Sequence, residues 1–164
     1  MIDPESILKG RMAEGLVEEL LKQCGNKVYR FGYEAVLQNL TQLEKVFDRE
    51  SEVGQRIKSI PDFIVINKEG KPFFVEAKFR TDFIVYSKDI KRIELIEKFW
   101  RAKIIIVTPE KPYFRISSSP YLNGKQEWNW KPLEEDQDLR ITPDVLKQFD
   151  GLVEKYYLKG ASQF

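Results

Sequence analysis

The run Ile104-Ile105-Ile106-Val107-Thr108 limits the possible folds more than any other part of this 164-residue chain. Its apolar, β-branched residues follow one another without alternating with polar ones, which is typical of a strand buried on both faces of a sheet. Such a sheet needs helices to cover it. An amphipathic helix is predicted just before the run, over residues 88–101, with Ile93 and Ile96 on its apolar face. The sequence therefore predicts an α/β fold with a central sheet flanked by helices.

Two further apolar runs, Pro61–Ile66 and Pro72–Phe79, are separated by the turn Lys68-Glu69-Gly70-Lys71, which predicts an antiparallel hairpin. The other predicted elements are a helix over 3–24, a strand over 27–34, a short helix over 36–48, a charged connection over 49–58, an edge strand over 113–117, a polar loop over 120–140 and a last helix over 142–158. We find no repeat or domain boundary among them. We therefore expect one domain over 1–164, with a core at about 3–118 and a C-terminal loop and helix at 119–164.

The residue types that are absent restrict the chemistry. The chain has no histidine, which excludes Ser-His-Asp and Cys-His catalysis and histidine-ligated zinc. It has one cysteine, Cys24, which excludes a disulfide framework and a multi-cysteine metal site. An enzyme with this composition has to use carboxylates, lysines, tyrosines or hydroxyls, and a metal in it would be a hard cation with oxygen ligands.

The net charge of +1 conceals an uneven distribution along the chain. Residues 55–119 carry 14 Lys and Arg against 8 Asp and Glu, whereas the segments before and after them are acidic. A basic middle segment is compatible with a surface that binds a polyanion, but by itself it is better explained by ordinary solvated charge. No apolar run approaches the roughly 18 residues that span a bilayer, and no signal peptide is recognisable, so we expect a cytoplasmic protein without membrane contact.

Acidic residues and a lysine are expected to converge on the predicted hairpin. Glu76 and Lys78 lie two apart on one strand, so their side chains project from the same face. Asp62 begins the partner strand and could come close to them. Two carboxylates and a lysine at one end of a sheet suit metal-assisted phosphodiester hydrolysis. The alternative is a surface hairpin with a cross-strand ion pair.

The pattern acidic-x-Lys alone is weak, because it also occurs at Glu69-Gly70-Lys71 and Asp89-Ile90-Lys91. The first of these falls on a predicted turn and the second opens a predicted helix. Only Pro61-Asp62 together with Glu76-Ala77-Lys78 lies on adjacent strands flanked by apolar residues. This context distinguishes Asp62, Glu76 and Lys78 from the other two matches to the pattern.

With these residues, the chain resembles the PD-(D/E)xK nuclease superfamily, whose restriction-endonuclease-like αβββαβ core occurs in type II restriction enzymes and archaeal Holliday-junction resolvases. The resemblance covers about residues 7–108. The opening stretch, Lys9 to Glu14, is similar to the resolvase-like branch, in which a glutamate of the first helix completes the metal site. The resemblance therefore implies Glu14 as the third acid, with Glu18 as the reserve candidate.

The resemblance implies a Mg²⁺- or Mn²⁺-dependent nuclease that acts on DNA, where a branched or damaged structure, as in repair or recombination, is as plausible a target as a specific sequence. Asp62, Glu76, Glu14 and the backbone carbonyl of Ala77 would bind the metal, and Lys78 would serve the attacking water. Cutting both strands of a symmetric junction would favour a homodimer. The alternatives are a catalytically inactive module of the same fold that binds nucleic acid or protein, and an interaction protein of the toxin–antitoxin kind.

Basic and aromatic residues near the motif have two interpretations each. Arg80, Lys88 and Arg92 are the predicted phosphate contacts, although basic residues on the same helix could form ordinary surface ion pairs. Trp128 and Trp130, with Tyr121, could stack on unpaired bases, but we favour the interpretation that they bury a long loop. Glu34, at the end of the first predicted strand, is as well explained by capping or solvation as by a functional role.

Overall fold

The computed structural model describes residues 3–32 and 47–158 of the chain. Its elements are α1 (Pro4–Gln23), β1 (Lys27–Arg30), α2 (Glu52–Lys58), β2 (Phe63–Ile66), β3 (Pro72–Phe79), α3 (Ser87–Phe99), β4 (Lys103–Val107), β5 (Phe114–Ser117), β6 (Lys131–Pro132), a 3₁₀ turn (Leu133–Glu135), α4 (Pro143–Val153) and a π-helical turn (Glu154–Leu158). The predicted helix over 36–48 and Glu34 lie outside the described residues, apart from the last two positions of that helix, which are not helical.

The strands form one mixed sheet in the order β1-β2-β3-β4-β5-β6. Every neighbouring pair is antiparallel except β3 and β4, which run parallel and are connected by α3. Parallel neighbours need a crossover of this kind, whereas the β2–β3 hairpin needs only a tight turn. The predicted hairpin is confirmed. Apart from the short helix α2 between β1 and β2, the elements from α1 to β4 follow the αβββαβ order of the restriction-endonuclease-like fold, so the predicted fold class is confirmed as well.

Two hydrophobic clusters cover the two faces of the sheet. On one face, α1 and α4 pack against residues that include Val75 and Ala77 of β3. On the other face, α3 packs against a cluster to which Phe74 of β3 belongs. Because side chains alternate along a strand, Glu76 and Lys78 project toward the α3 side, as Phe74 does. All five residues of β4 are buried: Ile104–Val107, as their continuous apolar sequence predicts, and Lys103, which pairs with Asp136 at 2.8 Å.

Three sequence-based predictions need correction. Residues 49–58, expected as a connection, contain helix α2, which begins where Ser51 Oγ accepts a hydrogen bond from Gly54 N. Strand β5 is not at the edge of the sheet, because β6 pairs with it from within the predicted polar loop. Strand β1 ends at Arg30 rather than continuing toward 34. These features depend on capping and on distant pairing, which hydrophobic periodicity does not reveal.

We expect the substitution Gly54→Ala to lower the free energy of unfolding by about 1–3 kcal/mol, because a Cβ at this buried position would lie 2.9 Å from Arg49 Cα and still closer to the Asp48 carbonyl oxygen. The matched control is Gly15→Ala in α1, where a Cβ would meet nothing within 4 Å. There we expect stabilisation of about 0.5–1 kcal/mol from helix propensity. Urea denaturation measures both variants. Equal effects of the two substitutions would contradict the close packing of α2.

Candidate active site

Asp62 lies just before β2 begins and accepts hydrogen bonds both from the residues that follow β1 and from β3. Its backbone oxygen accepts hydrogen bonds from Phe31 N at 2.8 Å and from Gly32 N at 3.2 Å. Its side-chain Oδ2 accepts a hydrogen bond from Ala77 N at 2.8 Å. The carboxylate therefore caps β3 at the position where β2 no longer pairs with it. In an extended strand the N–H and C=O of one residue point toward the same edge, so the Ala77 carbonyl also faces this side.

Glu76 is buried on the α3 side, with only 5% of its surface exposed. Arg92 of α3 donates to Glu76 Oε1 from Nη2 at 2.8 Å and from Nε at 3.3 Å. Lys78 Nζ lies 3.8 Å from the same oxygen. Arg92 Nη1 also donates to the Lys58 carbonyl at 2.8 Å, so the end of α2 helps to hold Arg92 in place.

The second oxygen of Glu76, Oε2, is buried and is the one buried carboxylate oxygen without a hydrogen-bond partner among residues 3–32 and 47–158. A buried polar atom normally has a partner, and leaving one unpaired is costly. The two cations near Oε1 do not satisfy Oε2. A cation with oxygen ligands would do so.

Burial of Asp62, the nearby Glu76 carboxylate and the charge of Glu14 together raise the pKa of Asp62 to about 8, while the hydrogen bond from Ala77 N opposes the shift. Carboxylates that repel each other in a poorly solvated place favour a bound cation. Strongly perturbed groups of this kind cluster at functional sites.

Burial lowers the pKa of Lys78, and the charges of Arg92 and Arg80 lower it further, whereas Glu76 and Asp62 raise it. A lysine whose proton is more easily lost than usual is better suited to proton transfer near neutral pH. The amine lies within reach of the same cluster as Asp62 and Glu76, as the hairpin predicts.

Glu14 and Glu18, one turn apart on α1, have different surroundings. Glu18 accepts a hydrogen bond from Lys22 at 3.0 Å and from Arg30 Nη2 at 2.8 Å. Although partial burial raises the pKa of Glu18, these two hydrogen bonds outweigh it and lower the pKa overall. The reserve candidate is thus engaged in surface ion pairs. Glu14 lines two clefts that open at the site, and its charge contributes to the raised pKa of Asp62.

The described residues contain no group of three or more Asp, Glu, Cys or His side chains drawn together closely enough to hold a metal ion. Helix α1, which carries Glu14, packs on the face of the sheet opposite to the one toward which Glu76 projects, although Glu14 itself lines clefts with Lys78 and with Asp62. Asp62 and Glu76 nevertheless fit a hard cation, because both supply oxygen and Glu76 Oε2 has no other partner in the described part of the chain.

The three predicted phosphate contacts differ in their surroundings. All three line an open cleft of about 750 Å³ that also contains Lys78 and Glu14. Lys88 is exposed at its rim, 5.8 Å from the ring centre of Tyr86. Arg80 pairs with Asp89, and Arg92 pairs with Glu76. The sequence did not predict that Arg92 pairs with a carboxylate, because this contact depends on how α3 packs over β3.

The aromatic residues of the 120–140 segment pack against the domain, as the favoured interpretation predicts. Tyr121 is buried and its hydroxyl donates to the Ala102 carbonyl. Trp128 and Trp130 stack with ring centres 4.9 Å apart and pack against the cluster beneath α3. They bury the segment that leads to β6.

Sequence reasoning missed the basic residues of a second cleft, of about 690 Å³, which contains Asp62 and Glu14. Its cations come from α1, β1 and the segment from residue 49 to α2; they are Arg11, Arg30, Arg49 and Lys58, in addition to Arg92. Arg11 lies within the stretch that carries the family resemblance, which is the one signal that could have drawn attention to it.

No family model and no curated protein matches this chain. Among solved structures, the chain is similar to Hjc, a Holliday junction resolvase from the archaeal hyperthermophile Archaeoglobus fulgidus, with 16% sequence identity and a TM-score of 0.42. The alignment covers 85% of this chain and 98% of the resolvase. A likeness at this level says nothing about the chemistry of the site. In the described part of the chain, none of the helices has the length and apolar character needed to cross a bilayer.

Proposed function

We propose that this protein is a divalent-metal-dependent nuclease of the PD-(D/E)xK type. The observation that carries the proposal is the convergence of Asp62, Glu76 and Lys78 at one end of the β2–β3 hairpin, with the buried Glu76 Oε2 lacking a partner among the described residues. A cross-strand surface ion pair would leave these carboxylates solvated. Here Glu76 is buried, and burial raises the pKa of Asp62.

Each residue has a role that follows from its position. Asp62 and Glu76 would hold the cation, Mg²⁺ or Mn²⁺, with the Ala77 carbonyl as a further ligand, and Glu14 would have to approach it from the wall that the two clefts share. The bound cation would stabilise negative charge on the phosphate and acidify water next to it. Lys78 orients the attacking water or takes its proton. Arg92 fixes the rotamer of Glu76 by holding Oε1, which leaves Oε2 for the cation.

We take DNA as the substrate class, since the motif resemblance implies DNA and both clefts at the site are rich in Lys and Arg. The resemblance is as compatible with branched or damaged DNA as with a specific DNA sequence. Phosphate contacts by Arg80 and Lys88 belong to this proposal. A homodimer and a cytoplasmic location stay predictions.

The test is a cleavage panel of linear, flapped, branched and single-stranded DNAs with matching RNAs, each incubated with Mg²⁺, Mn²⁺ or EDTA. We expect the protein to cut at least one of the DNAs when a metal is present, and we expect EDTA to stop this cleavage. Titration calorimetry with Mn²⁺ should show binding that Asp62→Ala and Glu76→Ala abolish. A wild-type protein that binds no divalent cation and cuts no member of the panel would instead be an inactive module of this fold.

A further inference from the structure

The two clefts lie on either side of the candidate active site. We call them the Lys88 cleft, of about 750 Å³, and the Arg11 cleft, of about 690 Å³. Glu14 and Arg92 belong to the walls of both. Lys78 lines the Lys88 cleft and Asp62 lines the Arg11 cleft. A ligand that passes from one cleft into the other therefore crosses the proposed reaction centre.

Both clefts carry an excess of positive charge. Among residues 3–32 and 47–158, five cationic and three acidic side chains line the Lys88 cleft. Within the same residues, five cationic and two acidic side chains line the Arg11 cleft. Concave surfaces lined mainly by one sign of charge raise the local concentration of the opposite ion. The complementary ligand is an elongated polyanion, since a single phosphate group would occupy only one of the two clefts.

Most of these cations already have a carboxylate partner. Arg30 pairs with Glu18 at 2.8 Å, and Lys58 lies 3.4 Å from Glu50. Lys9 pairs in the same way with an acidic neighbour on α1, and the two arginines of the Lys88 cleft pair as described above. Such cations contribute less to phosphate binding, because a new contact has to replace an existing one.

Three exposed cations differ from the others. Arg11 and Arg49 in the Arg11 cleft, and Lys88 in the Lys88 cleft, form no ion pair with any carboxylate in residues 3–32 and 47–158. Lys88 lies near the aromatic ring of Tyr86. In the part of the chain that the structure describes, no carboxylate therefore competes with phosphates for these three charges.

We propose that one nucleic-acid strand runs through both clefts and that Arg11 and Arg49 bind its phosphates on one side of the reaction centre while Lys88 binds them on the other. This proposal rests on the proposed nuclease function, because it takes the Asp62–Glu76–Lys78 cluster as the place where the strand is cut. It assigns phosphate binding to α1 and to the segment before α2, which the sequence did not indicate.

The test measures binding without cleavage. Fluorescence anisotropy of a labelled 20-nucleotide single strand and a labelled 20-base-pair duplex is followed from 50 to 300 mM KCl in EDTA, with the wild type and with Asp62→Asn. Arg11→Ala, Arg49→Ala and Lys88→Ala should each reduce the slope of log K against log salt by about 0.7 on the single strand and about 0.9 on the duplex. Lys147→Ala is the matched control, because Lys147 is exposed on α4 and lines neither cleft.

Combined variants separate a continuous path from binding in one cleft. Arg11→Ala with Lys88→Ala should reduce the slope by about the sum of the single effects, roughly 1.4 on the single strand. If Lys88→Ala, or both Arg11→Ala and Arg49→Ala, leave the slope as in the Lys147→Ala control, the path through both clefts is wrong.

The two proposals fail in distinguishable ways. Suppose that the wild type cuts DNA when metal is present, but that substitutions in one of the clefts do not change the slope of log K against log salt. The nuclease function then stands and the path through both clefts is refuted. If both clefts contribute to binding but no metal supports cleavage, the binding path stands and the nuclease function is refuted.

Discussion

Replacing Lys78 with alanine should lower the cleavage rate by about 10²–10⁴-fold, the range expected when one proton-transferring or charge-stabilising group is removed. The side chain is mostly buried beside Glu76, and burial lowers its pKa, so no solvent-exposed lysine can take its place. Single-turnover rates on the best substrate of the panel measure the effect. The Kd for the same DNA in EDTA should change far less, since removal of one cation weakens binding only modestly.

Lys71→Ala is the control for this variant. Glu69-Gly70-Lys71 has the same acidic-x-Lys pattern but lies on the turn between β2 and β3, where all three residues are exposed. This variant should retain the wild-type rate. Lys78→Arg keeps the positive charge but holds its proton, so a rate as low as that of Lys78→Ala would assign Lys78 to proton transfer. Full activity of Lys78→Ala would contradict any direct role.

Asp62→Asn should change how the stability of the metal-free protein depends on pH. The folded protein keeps the Asp62 proton up to its pKa of about 8, whereas the unfolded chain loses it near the ordinary value of 3.8. Between these values the folded state binds more protons, so the wild type loses stability as the pH rises. The loss is limited to about 1.4 kcal/mol per pH unit, and we expect about 1 kcal/mol per unit between pH 5 and 7.

Asparagine does not titrate, and its side-chain oxygen can still accept the hydrogen bond from Ala77 N. The Asp62→Asn variant should therefore not show the part of the stability loss with rising pH that Asp62 causes. Urea denaturation of both proteins in EDTA at pH 5, 6 and 7 gives the difference, since the other titrating groups are shared. Mn²⁺ should stabilise the wild type more at pH 8 than at pH 6, because binding displaces the proton. Parallel pH curves for the two proteins would show that Asp62 titrates near its ordinary pKa.

The sequence by itself determined the β2–β3 hairpin, the buried strand β4 and the place where Asp62 meets Glu76. The turn at Lys68–Lys71 fixes the pairing of the two runs, and the two-residue period of a strand then fixes which side chains share a face. Those are local properties, which turn chemistry and hydrophobic alternation encode directly. Because the chain has no histidine, its composition alone also makes carboxylates and lysines the main candidates for reactive groups.

Only the tertiary structure decided how that site is surrounded. Arg92 is 16 residues from Glu76 and holds it because α3 packs over β3, and α2 contributes through the Lys58 carbonyl. The burial that raises the pKa of Asp62 and the two clefts that meet at Glu14 likewise arise between distant elements. Local sequence specifies which face a side chain occupies, but its partners, its desolvation and the shape of the surface above it depend on how separate helices and strands pack together.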